Sequence, residues 1–122
     1  MFRFGYFQVV LFFFLIVGGC ASVGAKVQAT ETLKPSGIRE DCLELLPGQG
    51  LNYSFEASAP LNFNIHYHEN EKVSYEVSKD AVSKDAGIFL AKKEQYYCLM
   101  WTNPGSGPVT LRYERNIIEG QK

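Results

Sequence analysis

A chain of 122 residues with 12 Lys and Arg against 13 Asp and Glu has a formal net charge of −1, and its basic residues are scattered rather than gathered. That excludes the basic footprint on which nucleic-acid binding depends. Once an export signal is set aside, about eighty residues carry strand signals, enough for one small core and not for a second.

The chain opens with Arg3 and an apolar run from Val9 to Val17, then Gly18-Gly19-Cys20. A charged start, a short apolar stretch and small residues before a cut make an export signal. The cysteine after two glycines makes residues 1–19 resemble a bacterial lipoprotein signal, with Cys20 lipidated as the new N-terminus. Two other readings stay open: a plain secretory signal cut at Val23-Gly24-Ala25, and an uncleaved anchor over Phe4 to Gly24, close to the ~20 residues of a spanning helix. All three export the chain. The first places it in the cell envelope, lipid-anchored to a membrane. With Ala21 after the cysteine, the resemblance to enterobacterial lipoproteins implies the outer membrane, facing the periplasm. Cleavage after Ala25 would make it periplasmic or secreted.

The chain has three cysteines. With Cys20 lipidated, Cys42 and Cys98 remain as a pair, and in an oxidising compartment such a pair bonds more often than it stays free. The long loop they close would stabilise the fold by roughly 4 kcal/mol at most.

Residues 20–40 read as a flexible, lipid-anchored tether without apolar periodicity, spanning on the order of 25 Å. From Asp41 the pattern has period two. Cys42–Leu46 is a first strand, stopped at Pro47-Gly48. Leu51, Tyr53, Phe55 and Ala57 alternate with polar residues up to Ser58-Ala59-Pro60. Leu61, Phe63, Ile65 and Tyr67 alternate with Asn62, Asn64, His66 and His68, followed by a turn at His68–Glu71. Val73–Val77, Ile88–Ala91, Gln95–Trp101 and Val109–Tyr113 complete the set. Roughly seven short strands with regular turns predict an all-β fold, a single antiparallel β-sandwich over residues 41–117 with a tail at 118–122. The tandem Val77-Ser78-Lys79-Asp80-Ala81 and Val82-Ser83-Lys84-Asp85-Ala86 reads as a duplication in a surface loop, with Asp80 and Lys84 one helical turn apart.

Cys42-Leu43-Glu44-Leu45, Tyr53-Ser54-Phe55, Leu61-Asn62-Phe63-Asn64-Ile65 and Tyr97-Cys98-Leu99-Met100-Trp101-Thr102-Asn103 look like the GOLD domain. That is the luminal β-sandwich of eukaryotic secretory cargo receptors, found also in bacterial proteins. The resemblance covers Asp41 to Glu114 and implies a disulfide from Cys42 on the first strand to Cys98 on a late one, with Trp101 and Asn103 in the family's aromatic and asparagine places. It also implies a non-catalytic interaction module with a protein partner. The cargo receptors continue into a coiled coil and a membrane span. Neither follows here before Lys122, so cargo sorting is not carried over.

His66 and His68 are the two histidines of the chain. Two apart on a strand, they point to one side and are candidate ligands for Zn²⁺ or Cu²⁺. The plainer reading is a solvated polar face shared with Asn62 and Asn64, on which the histidines lie exposed and are not needed for folding. Nucleophile–base pairs, convergent carboxylates and phosphate-cradling glycine loops are not recognisable. The expectation is therefore a non-catalytic, lipid-anchored envelope module that needs no cofactor. The alternative is a periplasmic metal-binding domain using His66 and His68.

Overall fold

The computed structural model describes residues 25–120. Cys20 and the signal at 1–19 lie outside the described residues, as do Gln121 and Lys122. The fold is all-β and antiparallel, with six strands among the described residues: β1 (Val27–Leu33), β2 (Ile38–Leu45), β3 (Gly50–Glu69), β4 (Lys72–Leu90), β5 (Gln95–Thr102) and β6 (Val109–Ile118).

The sheet runs β1-β6-β3-β5-β2, with β4 on the other side of β3. It folds over into two layers because β3 and β4 run through both. Gly50–Ala57 of β3 pair with β6, which pairs with β1, whereas Asn62–Tyr67 pair with β5, which pairs with β2. β4 follows β3 through both halves, and the register slips between Glu56 and Leu61. Those slips are β-bulges, which bend a strand and increase its twist. Pro60, which has no N–H to give a ladder, sits at this bend. Ser58-Ala59-Pro60 is thus a corner inside one strand and not the end of one. Ala81 at the facing position of β4 has φ 54°, and its N–H donates to Asn62 Oδ1 at 3.0 Å.

Several expectations change accordingly. The strands read at 51–57 and 61–67 are one, as are those read at 73–77 and 88–91. The tandem repeat is not a loop but the middle of β4. Its kink pairs Lys79 with Asp85 at 2.7 Å, in place of Asp80 with Lys84. Most of all, the segment read as a tether holds β1, so the folded domain starts at Val27 rather than Asp41. An edge strand is held by backbone pairing to β6, and Ala29 and Leu33 cover the core with little apolar area. At the other end, β6 runs to Ile118, into what was read as tail.

The turns follow their residues. Pro47-Gly48, with Gly48 at φ 87° and Gln49 N–H donating to Leu46 O at 3.1 Å, has the residues and geometry of a type II turn. Asn70 and Glu71 both have positive φ, the requirement of the two-residue hairpin turn between β3 and β4.

The inward face of every strand feeds one core. Trp101 is fully buried, with its ring against Phe55, Phe63 and Tyr113 at centroid distances of 5.7, 5.3 and 4.5 Å. Leu45, Leu51, Leu61, Ile65, Leu99 and Leu111 fill the remainder. One polar cluster closes the layers: the Arg115 guanidinium donates to Asp41 Oδ2 and Oδ1 at 2.8 and 2.9 Å, and Tyr113 Oη donates to Asp41 Oδ2 at 3.0 Å. Because Asp41 is on β2 and Arg115 on β6, this clamp joins strands of different layers.

Asn103 ties loop to loop. It is fully buried, and its Nδ2 donates to Leu33 O at 3.0 Å and Gly107 O at 2.8 Å while Oδ1 accepts from Gly105 N–H at 2.9 Å. Its own backbone N–H donates to Gly37 O and its carbonyl accepts from Ser36 N–H, each at 3.0 Å.

Candidate functional site on the outer face of the second layer

Cross-strand register brings the sequence candidates to one place. Cys42 on β2 faces Cys98 on β5, Cys98 faces His66 on β3, and His66 faces Tyr75 on β4. Their neighbours Leu43, Tyr97 and Tyr67 point into the core, so this row lies on the outer face. The disulfide between Cys42 and Cys98 is formed, with Cα atoms 4.0 Å apart.

His66 and His68 do share a side, with ring centroids 5.2 Å apart and edge-on. Only His68 is exposed. His66 keeps 3% of its surface, against the expectation of two solvated histidines. The reason is the crowding of the row: the Tyr75 ring covers it from β4 at 5.9 Å, His68 from along the strand, and Cys98 stands opposite. An outer face buries a side chain when its neighbours are large enough to close over it.

The surroundings set the chemistry of His66. Its Nδ1 lies 2.7 Å from Asn64 Oδ1. With the amide oxygen accepting, the ring proton sits on Nδ1 and the lone pair on Nε2. That Nε2 is 3.9 Å from Glu40 Oε1. Burial pushes the imidazole below its ordinary value; Glu40 opposes this and His68 adds to it, leaving the value lowered. At neutral pH the ring is uncharged.

Potential metal ligands cluster beside it, although not as the sequence reading had them. Among the described residues, Glu40, Cys42 and Cys98 present a carboxylate oxygen and two sulfurs within 4.8 Å of one another. Cys42 Sγ stands 3.3 Å from Glu40 Oε1. Glu69, next to His68 at the end of β3, accepts from Lys93 Nζ and Gln95 Nε2, each at 2.7 Å. The sequence missed Glu40 because it was assigned to the tether, whereas β2 starts at Ile38 and places Glu40 one outward position from Cys42.

The same face continues to an exposed edge. Among the described strands β4 pairs with β3 alone, so its far side is open along 19 residues. Four of the exposed large apolar side chains lie on it: Val73, Tyr75, Ile88 and Leu90. Tyr96 on β5 is exposed as well. Ile88 and Leu90 stand beside Gly50, where an added Cβ would sit 3.3 and 3.4 Å from them.

The first layer carries an open cleft of about 610 Å³. Register places Gln28, Glu114, Ser54 and Ala86 in one row across it and Thr30, Arg112, Glu56 and Lys84 in the next. Of its charged groups, Glu114 takes Gln28 Nε2 at 2.8 Å and Lys26 Nζ at 2.9 Å, bonds that lower its pKa, and Asp85 takes Lys79 Nζ at 2.7 Å.

No protein-family model and no curated protein matches the chain. Among solved structures, the mitogen derived from Yersinia pseudotuberculosis is similar, with a TM-score of 0.53 at 11% identity over 81% of this chain and 89% of that one. At that identity the likeness is one of fold.

Proposed function

We propose that the protein is a non-catalytic interaction module of the cell envelope, lipid-anchored through Cys20, that receives an extended segment of a protein partner along the open edge of β4. The observation that carries this is the edge itself. An unpaired strand offers a row of free N–H and C=O groups, and proteins normally blunt such edges by charge, kinks or shortness. β4 has its kink at Ala81 and lysines at 72, 79 and 84, yet it leaves Val73, Tyr75, Ile88 and Leu90 exposed at its two ends. Strand addition takes its affinity from main-chain bonds and its specificity from alternate side chains, and apolar residues flanking the open edge serve the second need. The resemblance to the GOLD domain points the same way.

The test uses protein expressed with its signal. A photocrosslinking amino acid at Tyr75 or Leu90 should give one discrete adduct in native membranes, lost when Ile88→Glu is added. The same amino acid at Thr30, on the far edge formed by β1, should give none. Equal labelling from both edges would sink the strand-addition reading. Cys20→Ser should leave the protein soluble or unprocessed, and a mature N-terminus at Lys26 would refute lipidation.

The second reading, metal binding through His66 and His68 alone, is favoured by the shared side and the 5.2 Å ring separation. Metal content of the untagged protein tests it.

A further inference from the structure

We propose that the Cys42–Cys98 pair is a redox gate over a metal site: reduced, the two thiolates together with His66 Nε2 and the Glu40 carboxylate hold a single Zn²⁺, and oxidised they hold none. The proposal does not depend on the partner reading of β4.

The four groups come from three adjacent strands. Cys42, Cys98 and His66 occupy one row on β2, β5 and β3, and Glu40 lies one outward position along β2. The two sulfurs are bonded to each other, the Glu40 carboxylate lies within 4.8 Å of both, and His66 Nε2 is 3.9 Å from Glu40 Oε1. Two thiolates, one imidazole and one carboxylate are a donor set that Zn²⁺ accepts in tetrahedral geometry, with Zn–S of about 2.3 Å and Zn–N of about 2.0 Å. The sulfurs are on directly opposed residues, so rotation about Cα–Cβ separates them while the strands keep their register.

His66 is prepared for the role. Its Nδ1 is engaged by Asn64 at 2.7 Å, which fixes the ring and leaves Nε2 with its lone pair, the usual orienting bond behind a metal-bound histidine. Its ring is 3% exposed, closed over by Tyr75 and His68, which holds it in one orientation. A histidine held as a solvated surface group would have neither property.

The gate balances as follows. An external dithiol attacks the disulfide by thiol–disulfide exchange, the Cys42–Cys98 bond breaks, and the dithiol leaves as its own disulfide. Two electrons and two protons pass to the two sulfurs. When Zn²⁺ binds, the two thiols release two protons and become thiolates. For reoxidation an external disulfide accepts the two electrons by the same exchange and leaves as a dithiol with two protons from solvent, while the Cys42–Cys98 bond re-forms and the ion is expelled.

The experiment uses the full chain in detergent. The disulfide is reduced with a phosphine, the excess is removed without air, and Co²⁺ is titrated in place of Zn²⁺. The reduced chain should take up one Co²⁺ with a strong thiolate-to-cobalt charge-transfer band that Zn²⁺ abolishes. The oxidised chain and the double variant Cys42→Ser with Cys98→Ser, which retains Cys20, should show no such band. His66→Ala should weaken binding at least ~10-fold, and Asn64→Leu about 10-fold through loss of the orienting bond. If reduction removes the strand signal in circular dichroism, Zn²⁺ must restore it. A reduced chain without the band, whether folded or unfolded, overturns the proposal. So does unchanged affinity in His66→Ala.

Discussion

Replacing Arg115 by methionine isolates the clamp between the layers. The guanidinium and the Asp41 carboxylate are 14% and 12% exposed and share two hydrogen bonds. Hydrogen bonds to charged groups contribute about 1.5–3 kcal/mol each, and breaking a buried pair from one side costs about 3–5 kcal/mol. Asp41 keeps the Tyr113 hydroxyl, so the lower end applies, about 3 kcal/mol. For a domain this small that lowers Tm by about 12–24 °C. The carboxylate also gives the loss a pH signature. Burial pushes Asp41 up, but the Arg115 bonds and charge, the Tyr113 bond and Arg39 outweigh it, and its pKa lies below the ordinary 3.8. A carboxylate depressed by folding stabilises above its unfolded value, and that contribution is lost as pH falls through the lower folded value. The gap between wild type and Arg115→Met should therefore be full at neutral pH and close below about pH 4. Urea unfolding followed by Trp101, the single tryptophan, and by circular dichroism measures both effects. Adding Asp41→Leu should recover most of the loss, because a buried pair exchanged for apolar groups is often neutral. A single-variant cost below about 1 kcal/mol, or a double variant that loses the sum of both changes, refutes the clamp.

Three further outcomes are expected. His66→Ala should cost about 1–3 kcal/mol, from the buried ring and the stranded Asn64 amide, whereas His68→Ala should stay within about 0.5 kcal/mol; similar values from urea melts would return both histidines to the surface. Because folding lowers the His66 pKa from 6.5, wild-type stability should decline as pH falls below about 6.5, and His66→Asn should remove that part of the decline in a pH series. Asn103→Ala leaves the Leu33 and Gly107 carbonyls and the Gly105 N–H without their partner, and should cost about 2–4 kcal/mol and speed amide exchange in residues 34–37 and 103–108.

Much of the fold was legible because a half-buried strand writes its orientation as alternation. Leu51–Ala57, Leu61–Tyr67 and Val109–Tyr113 show it, and all three lie where expected. The disulfide was legible from the even pair left once Cys20 is assigned to lipid and from the expectation of export. β1 was not, because Val27–Leu33 sits at an edge and needs few apolar residues to be held. The union of 51–57 with 61–67 was hidden by Ser58-Ala59-Pro60, because a bend within one strand uses the same residue types as a turn between two. The two histidines were placed on the correct side. Their unequal burial was out of reach, because it depends on Tyr75 across the hairpin and on the slip between Ile65 and His66. Glu40 was missed with the start of β2, and with it the fullest set of donors.

The two-layer passage of β3 and β4 bears on how the domain comes apart. In a sandwich whose sheets share no strand, one sheet can fray while the other survives. Here each layer borrows its inner strand from the same hairpin, and β3 makes ladders to β4, β5 and β6 at once. Melting either layer exposes a wall of the other, so β3 cannot belong to two independently opening regions. Amide exchange along it from Leu51 to Tyr67 should thus occur as one event, at the rate of global unfolding, with β1 and the far side of β4 opening earlier.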